Sequence, residues 1–230
     1  MTFSIAAGCA NSGQFGVAVT SSSICVASRC AFVKAGVGAA LSQNITDPEL
    51  GALLLEHSNQ GSSAAQCIEA VAANRDHVEY RQLAIVDQKL RPAFFTGQHA
   101  LGITGGVCGK ACVAVGNLLD NADVPAAMVS AFESADEADN ELAVRLLAAL
   151  KAGEAQGGEA GQIQSAGLLV IDAASWPFVD LRVDWHDQPI AELEELWQRY
   201  QPQMRDYQVR ATDPTIAPSY GVPGLSLIHI

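Results

Sequence analysis

Residues 2–23 read TFSIAAGCANSGQFGVAVTSSS. Two alternating stretches, 3–7 and 15–20, flank the run Asn11-Ser12-Gly13-Gln14. Alternation broken by an Asn/Ser/Gly turn is the pattern of a β-hairpin. The first 28 residues contain no Lys, Arg, Asp or Glu, so a secretory signal has to be considered. Such a signal needs a basic start and an unbroken apolar run of about 7–15 residues. Here the start is uncharged and the polar turn interrupts the run. The segment is read as the first two strands of a sheet.

Outward from this hairpin, 25–34 and 36–43 continue as strands. Asp47-Pro48 opens a helix to about residue 57, with Asp47 as cap and Pro48 in the first turn. Ser63 followed by Gln66 is a capping-box pattern and opens a second helix through 73. Segments 81–86 and 92–96 form another hairpin, and 111–115 is a further strand. Two helices follow, 122–134 and 140–151, the second with Leu142, Leu146 and Leu150 stacked on one face. A Gly- and Glu-rich loop, 153–161, leads to strands 164–171 and 178–184. A last helix begins near Pro189 and carries Ile190, Leu193, Leu196, Trp197 and Tyr200 on one side. Sheet blocks separated by helix pairs indicate an α+β fold of antiparallel sheets covered by helices. A doubly wound parallel sheet would alternate single strands with helices. The expected organisation is one domain over 1–200 and an extension over 201–224. The apolar, unpatterned run 225–230 is set aside as a non-native read-through tail.

Composition narrows the function. The 230 residues are 49% apolar, which excludes a disordered chain. Lys plus Arg total 13 against 25 Asp plus Glu, a net charge of −12 that repels nucleic acid and anionic membrane. Charged residues are only 17%, against about a quarter in an average soluble protein. That deficit suggests surface covered by a second copy, so a homo-oligomer is expected. The uncharged stretch 92–109 contains Gln98, His99, Thr104 and several glycines, and is no membrane helix. Six cysteines at no zinc-like spacing indicate reduced, mostly buried thiols and a cytoplasmic protein. HExxH, P-loop, GxSxG and GxGxxG patterns are all missing, so neither metal nor cofactor is expected.

The most informative residue is Thr2. An initiator Met is removed when the next side chain is small, and Thr qualifies. The product would place a hydroxyl and a free α-amine on one residue at the start of a strand. An α-amine with a pKa of about 7.7–8.0 can act as base for that hydroxyl. This is the N-terminal-nucleophile arrangement for amide hydrolysis.

The segments MTFSIAA, SGQFGVAVTSSS, AGVGAALSQN, VGNLL, LLAALKAGEAQGGEAGQIQSAGLLV, WPFVDLRVDWH, PIAELEEL and RATDPTIAPSYGVPG together resemble domain-of-unknown-function family 1028. That family is placed in the Ntn-hydrolase superfamily, and the resemblance spans about residues 2–224 in order. It implies a four-layer αββα sandwich, two antiparallel sheets between helix layers, with Thr2 as nucleophile. It also implies a lysine from a nearby strand beside the nucleophile. Lys34 is the candidate, as the sole lysine in the first 88 residues; otherwise it is a solvated strand-end lysine. The chain departs from the family at Gly8 and Cys9, at Ala31 where Pro is common, and after GVPG.

Ser22 and Ser23 could hydrogen-bond the α-amine, or form an exposed strand edge. Gln43, Asn44 and Asn117 are amides at strand ends, suited to an oxyanion hole or substrate clamp, or to turn and cap roles. Gln164 and Ser165 follow the glycine loop, which also holds Glu154, either functional or a solvated loop carboxylate. Asp180, Arg182 and Asp184 alternate on one strand face, as an ion-pair ladder or as an anion-binding Arg between carboxylates. The expectation is an amidohydrolase acting on a small amide or ureido metabolite. A neutral or mono-carboxylate substrate would fit, its carboxylate in an Arg fork. The alternatives are a non-catalytic Ntn-fold protein that binds a small metabolite or cell-envelope partner, and a thiol enzyme using Cys25 or Cys9.

Overall fold

The computed structural model describes residues 1–135 and 141–218. The expected tail 225–230, the end of the extension and the start of the helix expected from 140 lie outside the described residues. The chain divides into two compact units, Met1–Glu194 and Glu195–Ile230.

In the first unit, among the described residues, ten strands build two antiparallel sheets. The larger sheet has the order β10-β9-β2-β1-β8-β7. Its strands are β1 (Thr2–Gly8), β2 (Phe15–Ser21), β7 (Ile103–Gly109), β8 (Cys112–Leu119), β9 (Ser165–Ile171) and β10 (Pro177–Val183). The smaller sheet runs β3-β4-β5-β6, formed by Ala31–Lys34, Gly38–Asn44, Arg81–Asp87 and Pro92–Thr96. Helices α2 (Pro48–Asn59) and α3 (Ala64–Ala73) cover the small sheet, packing Leu50, Leu54, Cys67 and Val71 onto Ala40, Leu83 and Ile85. Helices α4 (Val124–Ser134) and α5 (Leu142–Ala155) cover the large sheet. The result is the αββα sandwich.

Strand parity divides each sheet's side chains between two cores. Ala6 of β1, Val17 and Val19 of β2, and Val113 and Val115 of β8 meet Ala39, Leu41, Ala84 and Val86 of the small sheet in one inter-sheet core. The alternate residues, Phe3 and Ile5 among them, are equally buried. A Cβ added at Gly153 of α5 would lie 3.0 Å from the Phe3 ring, which identifies that face as the helix-facing one. With both faces covered, the central strands lose the alternation expected of a half-exposed sheet.

The Asp47 cap and the Ser63–Gln66 capping box are both formed. Asp87 ends β5 fully buried, accepting the N–H groups of Ala64, Lys89 and Arg91 and the Arg91 guanidinium. Burial alone would push its carboxyl up; those donors outweigh it and hold the carboxyl below its ordinary value.

Three elements differ from the sequence reading. The strand expected over 25–34 is a helical turn, α1 (Ala27–Cys30), followed by the short β3. Ser165 Oγ accepts the Val26 N–H at 3.1 Å, and Ala27 lies directly over Gly167 of β9, so the turn fills a site that no larger residue leaves free. β7 was absent from the sequence reading because Gly105, Gly106 and Gly109 resemble a loop. Those glycines instead permit close packing: a Cβ at Gly106 would lie 2.5 Å from the Phe94 ring. The third is α7 (Met204–Thr212), in the second unit, where Tyr200 and Tyr207 stack with centroids 6.0 Å apart. The helix α6 (Pro189–Tyr200) begins at the proline that marked it. No described helix is long and apolar enough to cross a membrane.

Candidate active site

Thr2 opens β1 near the middle of the large sheet, opposite Asn117 of β8 on one side. On the other side the ladder with β2 places it beside Ser21. Parity directs Thr2, Ser4, Ser21 and Asn117 toward the space between the sheets, along with Gln43 of β4 and Gln82 of β5. The inter-sheet core is therefore apolar along most of its length and polar at this one end. All six residues are buried, Thr2 at 5% exposure and the others at 1% or less.

Buried polar groups need partners, and these have them. Thr2 Oγ1 and Ser21 Oγ both donate to the Met1 carbonyl, and Thr2 Oγ1 lies 3.4 Å from Ser21 Oγ. Ser4 Oγ donates to Gln43 Oε1 at 2.6 Å, and Gln43 Nε2 donates to Gln82 Oε1 at 2.9 Å. Asn117 Nδ2 donates to the same Gln82 oxygen at 3.1 Å. Gln82 Nε2 donates in turn to Thr96 Oγ1 at 3.0 Å and the Gly116 carbonyl at 2.9 Å. One amide thus joins both sheets beneath Thr2. Asn117 Oδ1, directly across from Thr2, has no partner among the described residues.

Beyond Thr2, the segment 157–161 closes over the strand end. Asp120 N donates to the Gly158 carbonyl and Ala160 N to that of Leu118, with Glu159 bridging Leu119. Gly158, at φ +61°, turns the chain where a Cβ would come within 3.3 Å of Phe3. Glu159 is consequently buried, at 6% exposure. Its Oε2 accepts the Ser22 N–H at 3.2 Å, and its Oε1 has no partner among the described residues. Burial pushes its carboxyl up to about 7, against the lowering effect of the nearby chain α-ammonium and of Ser22.

The candidates read from sequence separate into those gathered here and those placed elsewhere. Thr2, Gln43 and Asn117 come together. Ser22 is adjacent, but its N–H serves Glu159, and Ser23 is exposed with its N–H on Ser21 Oγ. The serine whose hydroxyl reaches Thr2 is Ser21. Asn44, one residue out of phase with Gln43, braces Tyr80 O and Leu101 N at a left-handed turn. Ser165 is committed to Ser23 O and Val26 N. Gln164 precedes it, and its main chain bridges Ser21 O and His186 N.

Lys34 does not reach Thr2. It is exposed and pairs with Gly38, five residues before Gln43 on β4, hence about 17 Å along the strand. Arg182 sits three strands from β1, roughly 14 Å across the sheet, and is held by Asp180 through bonds of 2.7 and 2.9 Å. Hydrogen bonding to Asp180 raises the guanidinium pKa, and the pair is the ion-pair alternative of the sequence reading. Lys34, Asp180 and Arg182 line a separate cleft of about 650 Å³ between β3, α2 and β10. A second cleft, of about 730 Å³, lies at Gly8 and Arg145. Neither cleft reaches Thr2.

Sequence reasoning missed Ser21, Gln82 and Glu159. Ser21 was within reach, since it shares parity with Val17 and Val19. Glu154 was singled out in the same loop, yet it is exposed on α5, and the buried carboxylate is Glu159. None of the six cysteines is in a disulfide, and four are buried. Burial pushes the Cys30 thiol up and raises Cys112 to about 12 and Cys67 to about 11. No group of His, Cys, Asp and Glu among the described residues could hold a metal ion.

Fold and site define the class: an αββα sandwich with a hydroxyl residue opening a central strand over a buried amide network. The chain belongs to the family described as "Family of unknown function (DUF1028)", whose model matches residues 2–193. The crystal structure of protein SPO2555 from Silicibacter pomeroyi, a DUF1028 member, superposes with a TM-score of 0.80. It is 34% identical, over 87% of this chain and 89% of that one. Anbu, the ancestral beta-subunit from Yersinia bercovieri, matches at 11% identity and a TM-score of 0.39, over 88% of this chain and 96% of that one. No curated protein matches the chain.

Proposed function

We propose that the protein is an N-terminal-nucleophile amidohydrolase of the Ntn-hydrolase superfamily, acting on a small amide or ureido compound, with Thr2 as nucleophile once Met1 is removed. The observation that carries this reading is the placement of Thr2: its Oγ1 lies in a buried polar corner with Ser21, opposite Asn117. Removal of Met1 frees both hydroxyls from its carbonyl and leaves a free α-amine on Thr2, whose strand partner Asn117 carries an Oδ1 unpartnered among the described residues. The amine takes the proton of Oγ1 as that oxygen attacks the substrate carbonyl carbon. Collapse breaks the C–N bond, and the proton passes to the leaving amine. Water then hydrolyses the Thr2 ester and releases the acid. The Ser21 hydroxyl and the Asn117 amide are the nearest groups able to steady charge on the carbonyl oxygen.

A second reading, a non-catalytic protein binding a small metabolite, is favoured by one observation: among the described residues no Lys or Arg hydrogen-bonds Thr2 or Ser21. Intact mass and mutation separate the two. The amidohydrolase has lost Met1, its Thr2→Ala variant keeps the melting temperature, and turnover drops by about 10³-fold or more. Thr2→Ser retains measurable rate. Full retention of Met1, or normal turnover by Thr2→Ala, refutes the mechanism. A panel of amides and ureides screened for ammonia or amine release supplies the substrate.

A further inference from the structure

Met1 occupies a built space. A Cβ at Gly161 would lie 3.1 Å from Met1 Cε and 3.4 Å from Sδ, so the thioether packs where a glycine leaves room. The Met1 carbonyl takes the Thr2 and Ser21 hydroxyls. Its α-ammonium is the positive charge acting on Glu159. Glu159 itself is nine-tenths buried, with one oxygen on Ser22 N–H and the other unpartnered among the described residues. The position that Met1 fills thus offers a hydroxyl pair for a carbonyl, a glycine floor for a side chain, and a carboxylate for a cation.

We propose that this position is the substrate subsite, and that Glu159 there selects amides carrying a cationic group beside the scissile carbonyl, α-amino amides being the simplest class. The inference rests on the amidohydrolase reading for its chemistry, but its geometry stands apart from turnover. Once Met1 leaves, the Thr2 α-amine has the unpartnered Asn117 Oδ1 within its own strand pair. Glu159, bridged to Leu119 two residues beyond Asn117, is the carboxylate on which the departed α-ammonium acted. A buried carboxylate with a free oxygen favours a cation in that place, and the net charge of −12 draws cations toward it. A substrate carboxylate would instead meet Glu159, and the Arg fork expected for one is absent: Arg182 is at the sheet edge, closed on Asp180. That placement favours an ammonium-bearing substrate over the mono-carboxylate one.

The test uses Thr2→Ala, whose small second residue still allows loss of Met1, confirmed by mass; this variant binds without turnover. Calorimetry compares L-methioninamide with 4-(methylthio)butanamide, the same molecule without its amine. Methioninamide is expected to bind at least about tenfold more tightly. Glu159→Gln in that background should abolish the difference while leaving the affinity for the neutral amide unchanged. Equal affinities in Thr2→Ala, no binding of either probe, or an equal loss for both probes in Glu159→Gln would overturn the subsite. The probe pair tests the charge without altering Glu159, so a poorly folded variant does not decide the result. Discrimination without turnover by the Thr2 protein would overturn the amidohydrolase reading and leave the subsite standing.

Discussion

Replacing Gln82 by Leu removes the side chain with the most bonds in the network that joins both sheets beneath Thr2. Gln82 is fully buried. Its Oε1 accepts from Gln43 and Asn117, and its Nε2 donates to Thr96 and Gly116. Leucine fills most of the volume but returns none of these bonds. The Gln43 and Asn117 amide N–H groups are then orphaned away from water, at about 1–3 kcal/mol each. The added apolar burial offsets about 1 kcal/mol of that, so the net loss should be about 3 kcal/mol. For a domain of this size that lowers Tm by about 6–12 °C. Urea unfolding should show a lower midpoint at unchanged m-value. Turnover should also fall, because Asn117 and Gln43 lose the contact that orients them. Gln82→Glu separates bonding from shape: a protonated Glu can replace some of the bonds, whereas an ionised one places an unpaired charge in the core. Its stability should therefore fall further as pH rises. A Gln82→Leu protein within 1 kcal/mol of wild type would refute the view that this network is dry and indispensable.

Glu159, whose native carboxyl is pushed up to about 7 from an ordinary 4.5, holds its proton more tightly folded than unfolded. With Met1 in place, its contribution to stability should be present below about pH 4.5 and lost as pH rises toward 7, by about 3 kcal/mol. Urea unfolding of Met1-bearing protein, its mass confirmed, against Glu159→Gln in the same form across this range should show that slope, and parallel curves would remove it. Lys34→Met should leave the pH–rate curve unchanged, because Lys34 is exposed at the end of β3, beside Gly38 at the far end of β4 from Gln43; a shifted curve would return Lys34 to the site. Asp87→Ala should destabilise by about 3–5 kcal/mol, measured by urea midpoint, since three backbone N–H groups and Arg91 lose their acceptor.

What could be read from the sequence alone was local. The hairpin at 2–23, the Asp47 cap, the Ser63 capping box and the i, i+4 leucines of α5 each depend on residues a few positions apart, and each formed as read. Strand parity likewise places Thr2 and Gln43 on the faces they occupy, since side chains alternate whatever the sheet does later. What the tertiary structure decided was which end of each strand meets which. Lys34 and Gln43 are both strand-end residues facing a covered sheet, yet the antiparallel turn at 35–37 sends Lys34 to one end and Gln43 to the other. Glu154 and Glu159 are five residues apart in a stretch that reads as one loop; α5 runs on through Glu154 and leaves it exposed, whereas docking of the segment after it on Leu118–Asp120 buries Glu159. Gln82 carries no motif at all, and its role arises because two sheets stack there. The glycines of β7 read as a loop because the rings and helices that require them lie far away in sequence. Local backbone chemistry writes the elements, while desolvation and register, set by contacts distant along the chain, select the site.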